Sequence, residues 1–108
     1  ALGPLLEDHR IATNDVIRME VLTGARDEAQ YGQLSDQWEG LHYLLITSAV
    51  WRRAERLRFD LRRKGRLIPL SDVLIASSAI VYNCELLHAD RHFDQIAAMA
   101  PLKLFNLS

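Results

Sequence analysis

The chain has 108 residues, 49% of them apolar and 25% charged, and its 13 Lys and Arg against 14 Asp and Glu leave a net charge of -1. That is enough for one core and not for two, and the composition is that of an ordinary globular domain. The overall charge gives no argument for nucleic acid, the single Cys84 excludes an intrachain disulfide and fits a reducing cytoplasm, and no apolar run approaches the roughly 20 residues of a membrane span.

The chain opens ALGPLLEDH, without Met, so it is expected to be part of a longer protein. Leu2 to Asp8 reads as the end of a helix. Ile11 to Thr13 reads as a short strand, Asn14 as an N-cap with Asp15 in the first turn, and a helix follows to Gly24. Asp27 to Trp38 is polar and helical and leads to Gly40, and HYLLI (His42 to Ile46) is a short apolar strand. Thr47 caps a long helix to Lys64, closed by Gly65, with Val50, Ala54, Leu57 and Leu61 on its inner face. After Pro69, Ser71 is expected to cap a central helix from Asp72 to Tyr82 that is apolar nearly all round. Glu85 to His88 then reads as a strand, Arg91 to Met99 as a helix, and Leu102 to Leu107 as a last strand. Short apolar strands alternating with helices predict a three-layer α/β/α domain on a mainly parallel sheet.

Three acids sit at the edges of core-like segments: Glu20 inside VIRMEVL, Asp72 opening SDVLIASSAIVY, and Asp90 closing CELLHAD. A buried, unpaired carboxylate costs several kcal/mol, so a cation or strong donor is expected beside each. In parallel α/β sheets, sites form beyond the carboxyl ends of the strands, and all three acids are placed to converge there. Asp94, four residues past Asp90, can reach the same pocket. Taken singly, Glu20 can pair with an arginine, Asp72 can complement a helix dipole, Asp90 can cap a helix, and Asp94 can be a solvated acid. The four histidines show no HxxxH or HxH spacing, so zinc is not indicated. Oxygen donors without His or Cys point to Mg²⁺ or Mn²⁺.

Eight of the thirteen Lys and Arg lie between Trp51 and Arg66, offset only by Glu55 and Asp60. Arg52, Arg56 and Arg63 fall together on that helix, where they either solvate it or hold the phosphates of a nucleic acid.

The blocks IATNDVIRMEVLTGAR and PLSDVLIASSAIVYNCELLHADRHFDQIA resemble the PIN-domain nucleases, most closely the VapC-like toxins of bacterial toxin–antitoxin systems. The second block is the more specific: an Asp opening an apolar helix, a strand, then His88-Ala89-Asp90 with Phe93 three residues on. The resemblance covers nearly the whole chain as a single domain. It implies a Mg²⁺- or Mn²⁺-dependent endoribonuclease, cytoplasmic, held by a cognate antitoxin, commonly dimeric, with RNA as substrate. It matches Glu20, Asp72 and Asp90 to acidic metal-site and catalytic positions and Asp94 to an additional acid. The family's first strand, which carries an early Asp at the centre of the sheet, has no counterpart in this sequence. The domain is therefore expected to be N-terminally incomplete, with a gap at its centre. A non-catalytic interaction module on the same fold is the alternative. A response-regulator receiver is disfavoured, because Lys103 precedes or begins the last strand rather than following it.

Overall fold

The computed structural model describes residues 2–7, 10–88 and 91–106, with side chains at 5, 11–87 and 91–105. Capping chemistry sets most helix boundaries. Helix α1 (Asp15–Thr23) begins where the Asn14 Oδ1 accepts the Ile17 amide at 2.9 Å, and α2 (Glu28–Glu39) where Asp27 accepts the Gln30 amide at 2.8 Å. Thr47 takes the same role toward Val50 at the start of α3 (Ser48–Arg63). Helix α4 (Leu70–Val81) starts two residues earlier than expected. The Pro69 carbonyl accepts the Val73 amide at 3.1 Å, so the helix is entered from Pro69, and Ser71 lies inside it rather than capping it. The short α5 (Arg91–Ala97) completes the helices among the described residues.

The strands are β1 (Leu2–Glu7), β2 (Arg10–Thr13), β3 (His42–Tyr43), β4 (Glu85–His88) and β5 (Lys103–Asn106), ordered β3-β2-β1-β4-β5. Leu2–Glu7 corrects the sequence reading: it is the central strand and not the end of a helix. Leu2, Leu5 and Leu6 have helical spacing, but β2 and β4 both present open edges whose N–H and C=O groups need partners, and β1 supplies them on both sides. The expected gap at the sheet's centre is thus filled. Because β1 is antiparallel to β2 and to β4, while β2–β3 and β4–β5 are parallel, the sheet is mixed; β2, β3, β4 and β5 all run in one direction and β1 against them.

Eight consecutive residues of α4, from Asp72 to Ala79, are buried, which makes it the central helix. It packs on Val50, Ala54, Leu57 and Leu61 of α3, the four positions whose spacing marked an inner face, and it also touches α1, α5 and β4. Ile17 of α1, Leu5 and Leu86 of the sheet, and Phe93 and Ile96 of α5 close the same core. Each fully buried Leu, Ile or Phe side chain contributes about 1.5–3 kcal/mol. β3 is shorter than the expected His42–Ile46: only two residues pair with β2, Leu44 is buried, and Leu45 is 70% exposed. Helix α2 has no buried residue. Arg18 ties it down, donating to the Tyr43 hydroxyl at 2.8 Å, to Ser35 Oγ at 2.9 Å and to Glu39 Oε1 at 3.3 Å. The Tyr43 hydroxyl, chiefly, raises the Arg18 pKa above its ordinary value.

Candidate functional site

Four co-directional strands define one carboxyl edge, and the polar residues gather toward it. β2 ends at Thr13 and Asn14, both wholly buried. Asn14 spends its Oδ1 on capping α1, while its Nδ2 has no hydrogen-bond partner among the described residues. An orphaned amide donor of this kind calls for an oxygen acceptor.

Asp72 lies in the first turn of α4 and is 6% exposed. Its Oδ2 is 2.9 Å from Nδ1 of His92, in the first turn of α5. Since α5 follows β4 directly, this contact places Asp72 at the carboxyl edge of β4. The imidazole offers a donor to a carboxylate that the core has otherwise taken out of water, which is the condition for tolerating such an acid there. Sequence spacing offered no route to His92: its partner is 20 positions away, and the pair exists only because α4 and α5 pack together.

Glu20 is partly exposed on α1, which packs against α4. Asp90 lies outside the described residues. Asp94 is exposed and lines a cavity of about 430 Å³ with Lys64, Arg66, Gln95, Ala98 and Met99, between the end of α3 and α5. His92 and Asp94, two positions apart, project roughly 200° apart around α5. Among the described residues no three His, Cys, Asp or Glu side chains are grouped so as to hold a metal ion. What the structure brings together is Asp72 and His92.

On α3, Arg52 pairs with Glu55 at 3.2 Å and Arg56 with Asp60 at 3.2 Å, all four exposed or half-exposed. The guanidinium groups of Arg56 and Arg63 lie 5.5 and 5.8 Å from the centre of the Phe59 ring. Arg52, Arg56, Phe59 and Arg63 form one stripe along the helix. Exposed pairs of this kind are worth roughly 0–1 kcal/mol, so they do not withdraw these arginines from an incoming phosphate.

A family profile described as PIN domain matches residues 1–99. The ribonuclease VapC11 of Mycobacterium tuberculosis is 34% identical over 99 residues, which cover 90% of this chain and 74% of that protein. Among solved structures, the VapBC2 complex of Rickettsia felis, bound to a DNA fragment from its promoter, matches with a TM-score of 0.74 and 25% identity over 88% of this chain and 73% of that one. VapBC-1 of nontypeable Haemophilus influenzae matches in fold, with a TM-score of 0.76 and 19% identity over 94% of this chain and 78% of that one.

Proposed function

Because the chain belongs to the PIN-domain family, we propose that it is a divalent-metal-dependent endoribonuclease acting as the toxin of a toxin–antitoxin pair. The observation that carries this reading is Asp72, a buried carboxylate at the carboxyl edge of the sheet with an imidazole at 2.9 Å. The relatives named as ribonucleases and the solved toxin–antitoxin complexes support it.

In this proposal Glu20, Asp72 and Asp90 are the catalytic and metal-holding acids, with Asp94 as the additional one. Their oxygen-only character suits Mg²⁺ or Mn²⁺. The buried setting of Asp72 fits that role, since a carboxylate kept from water is better satisfied with a cation beside it. When bound, a divalent ion supplies Lewis acidity toward a phosphodiester and a more acidic water. The chain's own residues do the rest. His92 holds the Asp72 carboxylate in one orientation, and Arg52, Arg56 and Arg63 attract the phosphate backbone without reading bases. Partners are RNA, a cognate antitoxin and a second copy of the chain, in the cytoplasm; no helix among the described residues is long and apolar enough to cross a membrane.

The test is cleavage of RNA by Asp72→Asn and Asp90→Asn. Each substitution removes ligand charge and keeps shape, so Mg²⁺- or Mn²⁺-dependent cleavage should collapse while the thermal transition persists. Wild-type cleavage by both variants would remove these acids from the mechanism, and a wild-type chain with no cleavage under either ion would leave the interaction-module reading.

A further inference from the structure

We propose that the groove between α3 and the start of α4 is a docking site for a protein segment that is acidic and carries an apolar anchor. Two adjoining cavities form the groove. One, of about 320 Å³, has Trp51, Ala54, Phe59, Leu70 and Leu74 around it, with Arg58 and Arg62 at its border. The other, of about 290 Å³, continues from Arg58 and Arg62 to Arg66, Leu67 and Ile68. Trp51 is 44% exposed, Phe59 54%, Leu70 50% and Leu67 80%. Single exposed apolar residues need no explanation, but four along one groove rimmed by charge have the make-up of an interaction surface.

Charge decides the occupant. Trp51, Glu55, Arg58 and Arg62 follow one another at helical spacing on α3, about 100° round from the Arg52–Arg56–Arg63 stripe. Arg58, Arg62 and Arg66 form no ion pair among the described residues. Glu55, the acid in the groove's lining, is already engaged by Arg52 at 3.2 Å. Three guanidinium groups with donors to spare therefore border an apolar floor, and carboxylates match them in fork geometry. From Trp51 to Arg62 the helix runs about 16 Å, the length of three helical turns of a partner.

The location favours a protein segment over substrate RNA. Leu70 and Leu74 face the groove, whereas Asp72 projects roughly 200° away from Leu70 and meets His92 on the other side of α4. The groove and the candidate catalytic edge thus lie on different sides of one helix. The leucine-lined floor suits an inserted aliphatic or aromatic side chain. This inference rests on the shape and charge of the groove and stands apart from the ribonuclease reading.

The experiment is fluorescence anisotropy on the intact chain with three labelled peptides of about 15 residues, long enough to form a helix. The first carries Glu on one face with Leu and Trp anchors, the second has Gln in place of the anchors, and the third has Lys in place of Glu. The first should bind and the other two should bind at least about tenfold more weakly. Arg58→Glu combined with Arg62→Glu, and separately Trp51→Ala, should each weaken the first peptide by about tenfold or more. Arg26→Glu with Lys103→Glu, both exposed and outside the lining of the groove, should change it by less than about threefold. No binding of the first peptide, equal binding by the groove variants, or an equal loss in this control variant overturns the proposal. So does displacement of the peptide by a short single-stranded RNA whose own affinity falls in the same groove variants, because the groove would then hold nucleic acid.

Discussion

Asp72 and Asp94 are both first-turn acids, yet the fold treats them differently. Asp72 is 6% exposed and meets an imidazole; Asp94 is exposed and faces a cavity bounded by Lys64 and Arg66. The sequence marked Asp72 as an acid at the edge of a core-like segment and left Asp94 open between the same pocket and solvent, but it did not name the groups that meet them, because that depends on which helix lies across from each. His92 was invisible for the same reason. If Asp72 is the metal-holding acid we propose, His92 is what keeps its carboxylate oriented. Replacing such a hydrogen-bonding partner typically costs about 10–100-fold in metal affinity. We therefore expect His92→Ala to weaken Mn²⁺ binding by about that factor in isothermal titration, with the thermal transition retained. Unchanged Mn²⁺ affinity would show that His92 only satisfies a buried acid.

At the scale of elements, two glycines that look alike in sequence separate in structure. Gly24 and Gly65 both follow helices. Gly24 has φ -80°, a conformation any residue adopts, whereas Gly65 has φ +73°. Neither position is crowded: a Cβ at Gly24 would meet backbone oxygens at 3.5 and 3.7 Å, and one at Gly65 would meet nothing within 4 Å. The difference is conformational. Gly65→Ala should destabilise by about 1–2 kcal/mol, the cost of a left-handed L-residue. Gly24→Ala should be neutral or stabilising by up to about 1 kcal/mol, through a less flexible unfolded chain. Thermal melts check both, at roughly 4–8 °C per kcal/mol for a domain of this size; equal shifts would contradict the argument. Turn residues announced where the helices end, but the sign of φ came from the path the chain takes afterwards. Leu2–Glu7 shows the opposite limit. Its leucine spacing is helical, and pairing with two open strand edges overrode it.

For the whole molecule, a net charge of -1 conceals a strongly basic α3 with two distinct faces. The stripe of Arg52, Arg56 and Arg63 is the one assigned to RNA in the proposed function. Each phosphate that an arginine no longer neutralises should reduce the slope of log affinity against log salt by about 0.7 for single-stranded RNA. Changing all three to Gln should weaken RNA binding and flatten that slope, while leaving Mn²⁺ affinity within about twofold, since the carboxylates are elsewhere. An unchanged slope would mean that these arginines only pair with Glu55 and Asp60 and stack on Phe59, as they do in the free chain.

The sequence by itself determined the places of the five helices, the Asn14 and Thr47 caps, the inner face of α3, the central place of α4 and the family. These rest on local rules: hydrogen-bonding side chains at helix starts, apolar residues three and four apart, and a motif of acids spaced along one stretch of chain. The tertiary structure decided what depends on neighbours distant in sequence. It put β1 at the centre of the sheet against its leucine spacing, joined Asp72 to His92, set Asp94 on a cavity beside Lys64 and Arg66, and set Arg58, Arg62 and Arg66 beside an apolar groove. The physical reason is common to all four. Backbone pairing, burial and charge contact are settled by which surfaces meet, and a linear pattern names the surfaces without saying which ones do.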